Sequence, residues 1–187
     1  MTPHILRIFA VVATALVLAA LQTTTPSYAI LTAPIRTTGH QPETVTSTAF
    51  SLKVRDVSRA KALAYDQFGK AVALQSSGVW IVVSAELRGL QQTMPVHAAT
   101  MIGASGRLYR QSQRAAAAPN NLVAKVLQPG LPTTGIFIFE MPEDETAGMT
   151  LVVSEQYDPQ LQGEVAVALD PDAVAPRERL EIGPNGS

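Results

Sequence analysis

Cysteine is absent from the 187 residues, and tryptophan and histidine are scarce, with one and three copies. Without thiols there can be no disulfide, no thiolate metal site and no cysteine nucleophile. A surplus of either charge is missing as well, since the formal net charge is -1. Nucleic-acid binders ordinarily carry a clustered basic excess, so nucleic acid is not an expected partner, and a polybasic membrane-surface mode is unsupported for the same reason. The histidines offer no ligand set. His4 lies near the start, His40 in a Thr-rich stretch and His97 just after Pro95. Isolated in this way, they read as surface or loop residues, and neither a metal ion nor another cofactor is expected.

Apolar residues, by contrast, are plentiful. They make up 47% of the chain, which suits one domain with a real core. The first segment, "MTPHILRIFAVVATALVLAALQTTTPSYAI", places Arg7 before an apolar run from Ile8 to Leu21. Small Ser27 and Ala29 follow, at the two positions a signal peptidase reads. The run is short against the ~20 residues that span a bilayer, although Ile5 and Leu6 lengthen it past Arg7. Two outcomes stay open: cleavage after Ala29, or retention as an anchor that contacts the membrane through residues 5–21. Either one leaves the rest of the chain outside the cytoplasm. The expected organisation is a signal peptide or anchor over 1–29, a linker over 30–47, a domain over 48–170 and a flexible polar tail over 171–187.

Within the domain the apolar pattern has period two. Phe50, Leu52 and Val54 alternate with Ser51, Lys53 and Arg55. In "VWIVVSAEL", Val79, Ile81, Val83, Ala85 and Leu87 share a face opposite Trp80, Val82, Ser84 and Glu86. "IFIFEM", "MTLVVSE" and "EVAVALD" are further short strands. Helical spacing is sustained nowhere in the domain; "RQSQRAAAA" (110–118) allows one brief turn before Pro119. Short strands separated by Gly, Pro, Asn and Asp turns predict an all-β sandwich of about 7–9 antiparallel strands. "VWIVV" is its expected central strand, and Trp80 a core plug or inter-sheet contact, with a binding-site role as the alternative. In "LQPGLPTTGIFIFEMPED" (127–144), Pro129, Gly130 and Pro132 predict a crossing between sheets before residue 135, and Pro142 a strand end.

The order of "AFSLKVRDV", "SSGVWIVVSAEL", "GRLYRQSQR", "LQPGLPTTGIFIFEMPED" and "LVVSEQYDPQL" resembles exported immunoglobulin-like domains of unknown function from actinobacteria and related bacteria. The resemblance spans most of residues 48–170 and rests on structural motifs. It implies an immunoglobulin-like sandwich behind a signal or anchor and a non-enzymatic role, and it brings no catalytic residues with it. A lipobox cysteine is lacking, so lipid anchoring by that route is excluded.

Chemistry-bearing residues are few. "IGASGRL" approaches a nucleophile elbow around Ser105, but Arg107 takes the last glycine position, so "GASG" reads as a hairpin turn. The acids at 143–145 and the "DPD" at 170–172 lack calcium-loop spacing and read as solvated loops. "NGS" at the C-terminus matches a glycosylation acceptor incidentally. Arg107, Arg110 and Arg114, with Tyr109 among them, form the one dense basic cluster. Arginine forks suit carboxylates and phosphates, so these four residues are the candidate partner contacts; a charged edge that resists aggregation is the alternative. The reading as a whole is a non-catalytic extracytoplasmic binding or adaptor module of the cell envelope, with an envelope or membrane protein as partner. A small-ligand carrier and an envelope hydrolase are the alternatives.

Overall fold

The structure, a computed structural model, describes residues 3–24, 31–170 and 176–183. It divides into two units, residues 1–33 and 34–187. The first contains helix α1 (Pro3–Thr24). Pro3 suits a first helical turn, where its missing N–H costs nothing. The Thr14 hydroxyl donates to the Ala10 carbonyl at 2.8 Å, which hides the polar group within the helix. Residues Pro3–Thr23 have a mean hydropathy of 2.2 and none of the span is buried, so α1 is long and apolar enough to cross a membrane. A signal sequence has the same length and composition. The cleavage position Ala29 lies outside the described residues.

The second unit is a β-sandwich. Its strands are β1 (Ile35–His40), β2 (Thr44–Thr46), β3 (Phe50–Gln67), β4 (Lys70–Gly89), β5 (Met94–Pro95), β6 (Ala98–Ile102), β7 (Leu108–Arg110), β8 (Val126–Leu127), β9 (Pro132–Met141), β10 (Thr150–Ser154), β11 (Gly163–Ala168) and β12 (Pro176–Ile182). One sheet runs β1-β11-β10-β6-β7 and the other β12-β3-β4-β9, with β2 paired to β3 and a separate β5-β8 ribbon. The pairing is antiparallel apart from two edge pairs, β1 with β11 and β12 with β3, which are parallel. As expected, β4 is a central strand, between β3 and β9.

Between the sheets lies the main core. Phe50, Leu52 and Val54 of β3, Val79, Ile81, Val83, Ala85 and Leu87 of β4, and Phe137 and Phe139 of β9 enter it from one side. Met101, Leu151, Val153, Val165 and Val167 meet them from the other. Trp80 is fully buried but belongs to a different layer, with Leu63, Val82, Ile136, Ile138 and Leu180 on the opposite face of the second sheet. Ala115 and Ala118 of the segment after β7 cover that face. The inter-sheet alternative is therefore corrected. Trp80 alternates with residues of the main core, and one step along a strand points to the other side of its sheet.

Both flanking segments depart from expectation. The linker supplies β1 and β2, and the tail supplies β12. Edge strands need only one apolar face, so "IRTTGH" and "RERLEI" carry too few hydrophobic residues to stand out. In β12, Leu180 and Ile182 are buried while Arg179 and Glu181 are exposed. Gly39 is required where β1 passes β2, since a Cβ there would come within 2.3 Å of Val45 Cγ2. The crossing between sheets also falls earlier than the prolines suggested. It occurs after β7, where Gln111 bridges to Phe139 and the Ser112 N–H donates to the Ile138 carbonyl at 3.0 Å. Pro132 is instead the first residue of β9, a position where the ladder tolerates a missing N–H.

Candidate functional site

The β6–β7 hairpin forms at "GASG" as expected, with Ile102 opposite Leu108. Gly106 takes a φ of +82°, and its N–H donates to the Gly103 carbonyl at 2.9 Å. The turn is held by Glu145, which is buried. Its carboxylate accepts from the Ser105 N–H at 2.9 Å and from the Ser105 hydroxyl. Ser105 is thus a structural residue of the turn. The two Ser105 bonds, the hydroxyl first, hold the Glu145 carboxyl below its ordinary 4.5, with Arg107 adding attraction. A carboxylate depressed in the folded state stabilises above its unfolded pKa, and that contribution is lost as pH falls through the folded value. The domain should therefore lose stability on acidification below about pH 4.5, and Glu145→Gln should flatten this acid limb while lowering the melting temperature at neutral pH. Thermal melts of both proteins across pH 3–7 check this; parallel acid limbs would contradict it.

The other two acids of this cluster are exposed. Glu143 pairs with Lys61 Nζ at 2.7 Å and more distantly with Arg59 at 3.9 Å. Among the described residues no three histidine or acidic side chains stand together as a metal site.

The basic cluster is contiguous in sequence and dispersed in space. Arg107 lies exposed in the hairpin loop, whereas Tyr109 is half-buried and packs against the main core. The Arg110 guanidinium sits 4.4 Å above the Tyr157 ring. Arg114 has crossed to the second sheet, where it lies 5.3 Å above Trp80, pairs with Glu140 at 2.6 Å and donates to the Gln75 carbonyl at 2.8 Å.

That last contact leads to features not foreseen from the sequence. Past a register slip at Lys61, β3 and β4 continue as a hairpin arm, residues 62–75; β12 runs beside β3 as far as Tyr65, so residues 66–71 form its two-stranded tip. Ala62 faces Gln75 but Ala60 faces Trp80, so residues 76–79 bulge opposite Lys61 alone. The bulge presses on the end of β9: a Cβ at Gly78 would stand 2.3 Å from the Met141 carbonyl oxygen. Beside it lies an open pocket of about 360 Å³, lined by Lys61, Ser76, Ser77, Gly78, Met141 and Pro142 and flanked by Glu140 and Glu143. Its charged groups are already paired, Lys61 with Glu143 and Glu140 with Arg114.

At the tip of the arm, Phe68 and Gly69 form a two-residue turn with φ of +53° and +78°. Asp66 Oδ1 accepts the Gly69 N–H at 2.8 Å. Phe68 is 97% exposed. A left-handed conformation costs a bulky residue about 1–2 kcal/mol, and the exposed ring recovers nothing by packing. "QFGK" lacks the Asn-Gly or Asp-Gly signature of such turns, though Gly69 between two alternating runs is a weak form of it.

No protein-family model matches the chain, and no curated protein does. Solved structures do. The YjhA protein of Bacillus subtilis matches with a TM-score of 0.52 at 14% identity, covering 71% of this chain and 100% of its own. MPT63, a secreted protein of Mycobacterium tuberculosis, has a TM-score of 0.52 at 16% identity and covers 72% of this chain and 97% of its own. An uncharacterized beta-sandwich protein of Clostridium difficile 630 has a TM-score of 0.46 at 13% identity, over 77% of this chain and 99% of its own. At these identities the likeness is one of fold: the chain is similar to YjhA and MPT63 in its strand architecture.

Proposed function

We propose that the protein is a non-catalytic binding module held outside the cytoplasm, which takes an envelope or membrane protein as partner. The observation that carries this reading is Phe68, a fully presented aromatic at the strained tip of an arm that projects from the sandwich. An exposed aromatic at such a tip suits recognition, where one buried ring can dominate an interface. The carboxylates beside the pocket are tied to cations, which favours binding over proton transfer. α1 supports the location, either as a signal or as an anchor, and the secreted character of MPT63 agrees with it. Of the hairpin residues, Arg107 is the one presented to a partner's carboxylates or phosphates, since Arg110 and Arg114 lie on aromatic rings.

One experiment tests both parts. A photo-crosslinking amino acid replaces Phe68 in the full chain, which carries a C-terminal reporter active only outside the cytoplasm, and cells are irradiated. The expected result is an active reporter and a discrete adduct from position 68, with none from position 178 on β12. A silent but stable fusion would refute export, and absence of the adduct would refute binding through the arm.

A further inference from the structure

Where β9 stops at Met141, opposite Val79, β4 loses its outer neighbour. Over residues 70–77 one side of β4 is paired with β3 or bulged, and among the described residues no strand pairs with the other side. The edges elsewhere are protected. β12 carries Arg177, Glu178, Arg179 and Glu181, and the edge of β9 is taken by contacts from Gln111, Ser112 and Asn121. β7 is three residues long, and β1 carries Arg36 after Pro34. The stretch "AVALQSS" (71–77) has no charge and no proline, the composition that invites another strand. Building on the arm as the binding surface, we infer that its partner is a second copy of this chain, added edge to edge along β4 about a two-fold axis at Ala73.

The register follows from hydrogen-bond parity. A two-residue turn closes on a hydrogen-bonded pair, here Gln67 and Lys70, so Lys70, Val72 and Leu74 turn their backbone groups toward β3. Ala71, Ala73 and Gln75 then point theirs outward, and Arg114 already takes the outward carbonyl of Gln75. An antiparallel copy centred on Ala73 sets Ala73 against Ala73 and Ala71 against Gln75. Outward groups meet outward groups at every pair. The same register places Val72 opposite Leu74 on one face, where each is half-buried in the single chain. It leaves only alanines and Gln75 on the other face; the one charged group at this edge is Arg114, which gives up the Gln75 carbonyl to the mate's Ala71 N–H.

Phe68 supplies an independent line. With Ala73 on the axis, the tip of one arm falls opposite Ser76–Gly78 of the other, beside Met141 and Pro142. That is the open pocket of about 360 Å³. Each copy therefore offers an unburied ring at the place where its mate offers an unfilled pocket, as an isologous interface demands.

The absence of cysteine makes the test clean. In the full chain in detergent, Ala73→Cys should form a disulfide-linked dimer on mild oxidation, since paired Cα atoms stand about 5.5 Å apart. Ala71→Cys should not, because its two copies would lie about 14 Å apart along the strands. Adding Phe68→Ala to Ala73→Cys should cut the dimer yield several-fold. Sedimentation equilibrium of the unmodified chain should show two copies per particle. Equal yields from Ala73→Cys and Ala71→Cys, or a monomer by sedimentation, would overturn self-pairing. If the position-68 crosslinker then captures a protein of another mass, the binding reading stands without the self-pairing; if it captures nothing, both fall.

Discussion

Trp80→Ala should destabilise the domain by about 3–5 kcal/mol. The indole is fully buried in the outer layer, among Leu63, Val82, Ile136, Ile138 and Leu180. Its lid is thin: Ala115 and Ala118 lie over it, and Arg114 spans the ring while reaching Glu140. Truncation removes the largest side chain of the layer and leaves Arg114 without the surface it rests on. The lid has few other contacts with which to collapse into the space. Trp80→Phe should lose much less, because it keeps a ring and removes an indole N–H that is buried without an acceptor among the described residues. Urea titrations followed by circular dichroism compare the three proteins without relying on the single tryptophan. A loss below about 1 kcal/mol for the alanine variant would place the ring outside a packed layer.

Gly135→Ala should cost about 1–3 kcal/mol, an unusual penalty for adding one methyl group to a strand. The added Cβ would stand 2.3 Å from the Asn120 carbonyl oxygen and 2.9 Å from Leu122 Cγ. That carbonyl accepts the Ile136 N–H at 2.9 Å, which fastens the covering segment to β9. The methyl group therefore acts as a wedge between β9 and the segment that covers Trp80. Hydrogen exchange should show the Ile136 amide losing protection in the variant before the amides of β10 and β11. Unchanged protection together with an unchanged urea midpoint would contradict the wedge.

Much of the sandwich is legible because alternation is a geometric statement. "VWIVVSAEL" divides its residues into those that join Phe137 in the main core and those that join Ile138 outside it. What alternation cannot say is what covers the second face. That cover comes from "RQSQRAAAAP", whose alanines are small enough to lie flat against the sheet but too weakly apolar to announce a core, while the charged tail widens the covered face as an edge strand with two buried residues. The arginines mislead for a related reason. Neighbours in sequence are neighbours in space only while the chain keeps its course, and here it leaves one sheet for the other between Arg110 and Arg114. The hairpin at 103–106 is readable from its glycines, whereas its anchor, Glu145, is forty residues away. Phe68 escapes notice because an aromatic is a poor guess for a left-handed turn, and the local misfit becomes informative only when the exposed ring is seen.

The parallel pairing of β1 with β11 has a mechanical consequence. Six residues of β1, Ile35 to His40, are in register with Gly163 to Ala168. Tension transmitted through the chain at Pro34, as from a tethered N-terminus, pulls along β1 from its first residue. If the opposing pull acts from the far end of the sandwich, the rungs of this ladder are sheared together, whereas a pull across the strand would peel them one after another. Shear distributes the force over the whole strand, so β1 acts as a clamp at the point where a tether would meet the folded domain. Shortening β1, or placing a proline within it, would leave fewer rungs to share the load and so weaken the clamp.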